Sequence, residues 1–84
     1  MILTENQKKA ILFLQSRTLT YAGTVEFPFA NNLATTSVMN SLLKRGVVWW
    51  LPARDEYGTG HWSLRHEFRG KSIEEIENAQ QEID

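Results

Sequence analysis

Cysteine is absent from the 84 residues, which excludes a disulfide framework and any zinc site built on thiolates. Apolar runs of membrane-spanning length are missing, and nothing at the N-terminus resembles a signal peptide. The expectation is a soluble, cytoplasmic chain with no membrane partner. Charge of one sign is also lacking, with a formal balance of −1. There is no glycine-rich phosphate loop and no nucleophile motif. Histidine occurs twice, at His61 and His66 on a predicted strand, where the two rings point to opposite faces and do not converge on a metal. No enzyme, cofactor or metal site is expected.

What is present is a core. Hydrophobic residues make up 42% of the chain and nine residues are aromatic, which argues against disorder. The length allows one hydrophobic core, and a domain this small buries a modest share of its surface, so its stability is limited. The charge is unevenly spread. Residues 1–71 hold nine bases against five acids, a balance of +4, while residues 72–84 hold five acids and no base. A mildly basic body thus carries an acidic tail, a pattern that fits either a charged partner or a solvated terminal helix.

Helical spacing dominates in three places. Thr4 and Gln7 form a capping-box pattern ahead of Leu3, Ala10, Ile11 and Leu14, which predicts a helix over about 4–16. Asn31 or Asn32 can cap a second helix. Its Thr35, Val38, Met39, Leu42 and Leu43 gather on one side, with Thr36, Ser37, Asn40, Ser41 and Lys44 opposite and Leu33 the apolar exception among them, and Gly46 stops it. Ser72 and Glu75 supply a capping box for a last helix over 72–83, with Ile73, Ile76, Ala79 (or Gln80) and Ile83 as a narrow apolar stripe.

Between the helices the pattern changes. "VVWWL" and "HWSLRH" flank the polar "PARDEYGTG" and read as two antiparallel strands with a long tip. Residues 18–30, "TLTYAGTVEFPFA", are ambiguous. Gly23 and Pro28 disfavour a helix across them, and Val25, Phe27 and Phe29 alternate as in a short strand, with Pro28 confining it to an edge. Leu19 is a second candidate start for a strand.

The order helix, short strand, turn, helix, glycine and hairpin resembles the winged helix-turn-helix superfamily over residues 4–66. The residues that carry the resemblance are Leu19-Thr20, Asn31 a dozen positions on, then Thr35, Met39, Leu42, Gly46, Val47 and Val48, and "WSL" at 62–64. It implies an α+β fold with a winged-helix-like domain over 1–71 and an added acidic helix over 72–84. The family's second helix would occupy residues 21–28, and "YAGTVEFP" is poor in helix formers, so that element is either a turn or a strand here.

The resemblance further implies a function. The leading expectation is non-enzymatic binding of double-stranded DNA, as a small transcriptional regulator or an accessory factor of a mobile element. Thr36, Ser37, Asn40, Ser41 and Lys44 would face the major groove, where a carboxamide can read adenine, hydroxyls read several edges and a lysine meets phosphate or guanine. Arg54 and Tyr57 on the wing would approach the backbone or minor groove. The wing itself, residues 52–60, carries one base against two acids, which is not a phosphate grip. An ordinary solvated helix face is the plain alternative for the polar stripe.

A different expectation attaches to Trp49 and Trp50. Neighbours on a strand face opposite ways, so one ring should enter the core and the other leave it. With Trp62 packing across the hairpin, two of the three tryptophans are expected inside. An uncovered outer ring would anchor a protein partner, and the chain would then be an interaction module such as a phage-type inhibitor of a host complex. The last helix has three possible uses: completing the core, pairing with its copy in a homodimer, or lying over the basic body in competition with an anionic ligand.

Overall fold

The computed structural model describes residues 2–17, 21–52 and 60–83, with side chains described to residue 79. Thr4 caps helix α1 (Glu5–Gln15) as a capping box, its hydroxyl accepting from the Gln7 amide while Gln7 Oε1 accepts from Thr4 N–H. Asn31 caps helix α2 (Asn32–Lys44), its Oδ1 accepting from Ala34 N–H at 2.8 Å. Gly46 ends α2 at φ +76°, where a Cβ would be strained. There Val47 N–H donates to Leu42 and Gly46 N–H to Leu43, a Schellman closure that turns the chain straight into the sheet.

Strands β1 (Tyr21–Gly23), β2 (Val48–Leu51) and β3 (His61–Leu64) form an antiparallel sheet in the order β1-β3-β2. Register fixes its two faces. Ala22, Trp62, Leu64, Val48 and Trp50 point toward the helices, and Tyr21, His61, Ser63, Trp49 and Leu51 point away. The inner row meets Ile11 and Leu14 of α1, Met39 and Leu42 of α2, Phe27, Phe68 and Ile76 in one core. This is the expected α+β, winged-helix-like arrangement.

Where the resemblance places a second helix, expected here as a turn or a strand, the chain forms a single 3-10 turn, Thr24–Glu26. Glu26 holds it in place, accepting from Gly23 N–H at 2.6 Å and pairing with Arg17 at 2.9 Å. The strand periodicity of Val25, Phe27 and Phe29 therefore does not make a strand. Val25 is 76% exposed, whereas Phe27 enters the core beside Phe13 at 4.9 Å. Pro28 and the tie at Glu26 leave bends where pairing would be needed. The alternative at Leu19 lies outside the described residues.

The predicted strand "HWSLRH" stops at Leu64, and His66 opens a second 3-10 turn, His66–Phe68, that drives Phe68 inward. Helix α3 (Ile73–Ile83) starts on the expected Ser72–Glu75 box. Ile76 is fully buried, and Ile73 and Ala79 pack against the same core. The Gln15 amide ties the approach to α3 by donating to the carbonyls of Phe68 and Lys71. Completing the core is thus what the described part of this helix does.

Candidate nucleic-acid interface

Helix α2 packs inward on Thr35, Met39 and Leu42, all essentially inaccessible. Its periodicity then sets the opposite side in solvent. Ser37, Asn40 and Lys44 are exposed there and Thr36 is half-buried. Val38 is half-buried, and Leu43, expected on the core side, is 39% exposed because the helix turns it toward the edge of the sheet.

Ser41 does not join the face. Its hydroxyl donates to the Val38 carbonyl at 2.6 Å and accepts from Gln7 Nε2 at 2.9 Å. Gln7 stands as a polar residue within the apolar stripe of α1, and its capping of the helix is only part of what it does. Only 4% exposed, its carboxamide accepts from Thr4 N–H and from Arg45 Nη1, and donates to Ser41. A buried amide with both ends satisfied stabilises the α1–α2 joint and orients the outer face of α2.

Electrostatics around α2 carry a signal missed at the level of net charge. Residues 27–54 contain no acid and three bases, Lys44, Arg45 and Arg54. This stretch includes all of α2 and β2. The nearest preceding acid, Glu26, is neutralised by Arg17 and held below the usual carboxylate range, first by the Gly23 N–H bond and then by the Arg17 charge. Glu77 of α3 lies 4.0 Å from Lys8 of α1, so the acidic helix sits against α1. Counting acids by segment would have exposed this acid-free window. Arg54 and Tyr57 of the expected wing lie outside the described residues, so the helix face alone is placed.

The tryptophans depart from expectation. Trp62 alone is in the core, at 4% exposure, while Trp49 is 46% and Trp50 41% exposed. Alternation holds, but the inner face at Trp50 runs past the helices that cover it. Trp50 rests on Trp62, with ring centroids 4.6 Å apart. Trp49, on the outer face, lies under the Arg65 guanidinium at 4.1 Å. With Leu51 also 46% exposed, the edge strand β2 shows three large apolar side chains to solvent.

His61 stands edge-on to Tyr21 on the outer face and His66 lies in the following turn, so the two stay apart. Among the described residues, no three His, Asp or Glu side chains gather as a metal site, and no helix is long and apolar enough to cross a membrane. No family model, no curated protein and no solved structure matches the chain.

Proposed function

We propose that the protein binds double-stranded DNA without catalysis, as a small transcriptional regulator or mobile-element accessory factor, with α2 in the major groove. The observation that carries this reading is the uncharged-to-basic outer face of α2 inside an acid-free window. Ser37, Asn40 and Lys44 stand exposed opposite the buried Thr35, Met39 and Leu42. Short polar side chains let a helix approach base edges closely, and a lysine in its last turn suits the phosphate backbone. The winged-helix-like order supports the geometry but does not by itself assign an activity.

The test is anisotropy of a labelled random duplex at two salt concentrations. Binding that weakens steeply with salt is expected, because each neutralised phosphate releases counterions. Salt-independent behaviour, or none, would overturn the proposal.

The exposed β2 supports a second reading, a protein-interaction module docked through Trp49, Trp50 and Leu51. Aromatic side chains open on an edge strand provide both anchors and unpaired backbone groups. Under that reading duplex DNA is not bound, and substitution of either tryptophan abolishes partner capture.

A further inference from the structure

A cleft of about 330 Å³ opens between α2 and the sheet, at the side of the polar helix face. It is walled by Thr36, Asn40 and Leu43 of α2, by Thr24, and by Trp50 and Trp62. None of these side chains is charged. The Trp62 indole N–H already donates to Thr24 Oγ1 at 3.2 Å, so the floor is satisfied. Trp50 is braced from behind, lying on Trp62 and across Gly60 so closely that a Cβ there would collide with the ring. Trp50 remains 41% exposed. Among the described residues no hydrogen bond engages the Asn40 carboxamide.

We propose that this cleft holds one unpaired nucleobase of a DNA strand, stacked on Trp50 and read along its edge by Asn40. The volume is at the small end of ligand clefts, which run from about 300 to 1,000 Å³, and suits a single planar heterocycle. A fixed indole is a stacking platform that accepts any base. A carboxamide offers one donor side and one acceptor side, which matches the paired groups of a base edge. Lys44, one turn further along α2, is exposed where the strand's phosphate would pass. A phenylalanine side chain from a protein would bring no edge groups, and a tyrosine or tryptophan only one, against the donor and acceptor that the Asn40 carboxamide offers together.

This rests on the DNA reading, yet the two fail separately. The experiment titrates the full-length protein against three labelled probes: a perfect duplex, the same duplex with one unpaired nucleotide, and the single strand. Probes with an unpaired base are expected to bind about tenfold more tightly than the perfect duplex, within the range of base–aromatic stacking. Trp50→Ala should erase that advantage and leave perfect-duplex affinity unchanged, while Trp50→Phe should keep most of it. Thermal melting of both variants checks that the fold is intact. Equal affinity of wild type for all three probes would overturn the cleft proposal and leave duplex binding standing, as would an advantage that survives Trp50→Ala. A free nucleoside monophosphate that displaces the unpaired-base probe at comparable concentration would also overturn it, since the occupant would then be a free nucleotide. Binding to none of the probes would overturn both readings.

Discussion

Glu26 shows how one side chain can replace an element. It accepts from Gly23 N–H and pairs with Arg17, fixing a single 3-10 turn in a stretch whose alternation reads as a strand. Its pKa is lowered by those contacts, so its stabilisation is fully present above the ordinary carboxylate range. That contribution drains away as pH falls through the depressed value. Glu26→Gln should therefore lower the melting temperature at neutral pH, and the difference from wild type should vanish in strong acid. The carboxylate is 42% exposed, so solvent screening keeps the effect small. A difference that stays constant across a pH series of melts would show that charge is not the cause.

The tryptophans separate at the same scale. Trp62→Ala should cost about 3–5 kcal/mol, as deletion of a buried large ring does. Trp49→Ala forfeits little beyond its stacking with Arg65, worth about 0.5–1 kcal/mol at an exposed site. Trp50→Ala forfeits the contact with Trp62, about 0.5–1.5 kcal/mol beyond area burial. Chemical denaturation of the three variants gives the ranking directly, and a Trp49 loss equal to that of Trp62 would mean the outer ring is buried after all.

Among the elements, those with local punctuation were legible in the sequence. The capping boxes at Thr4 and Ser72, the Asn31 cap and the left-handed Gly46 are chemistry confined to one turn, and each appears where its residues stand. Residues 24–30 were not legible, because a stretch this short fits alternation by chance and its true constraint, Arg17 on Glu26, comes from outside it. The exposure of Trp50 was illegible for a related reason. Alternation gives the face of a strand, but not where the covering helix ends. The polar face of α2 was largely visible, and Ser41 was lost from it only through Gln7, a contact 34 positions away.

Helix α3 brings its own prediction. The described part of its apolar stripe is spent on the core, with Ile76 at 0% exposure. Ile76→Ala should cost about 2–5 kcal/mol. A domain of this size has only about 0.05–0.15 kcal/mol of stability per residue, so removal of residues 72–84 should abolish cooperative unfolding. A truncated chain that melts as sharply as the parent would mean that α3 is an assembly element instead.

At the scale of the whole molecule, net charge misleads and distribution informs. A balance of −1 speaks against nucleic acid, yet five of the ten acids are gathered in residues 72–84, and their helix lies against α1. The α2–β2 side is left without an acid from residue 27 to residue 54. Over a Debye length of about 8 Å at physiological salt, a phosphate approaching that side is governed most by the groups nearest to it. Asn40 and Lys44 then play distinguishable parts. Asn40→Ala should cost about 1–3 kcal/mol at a preferred site and relax the choice of base there, because a carboxamide discriminates edges. Lys44→Ala should weaken binding to every duplex alike and lower the salt slope by about one, because an ammonium on phosphate carries no sequence information. Both side chains are exposed and off the core, so melting temperatures should barely move. The measurement is a salt series of anisotropy titrations on wild type and the two variants. If Lys44→Ala leaves the slope unchanged while wild type retains one, the phosphate contact lies elsewhere on the basic body and α2 is not the helix in the groove.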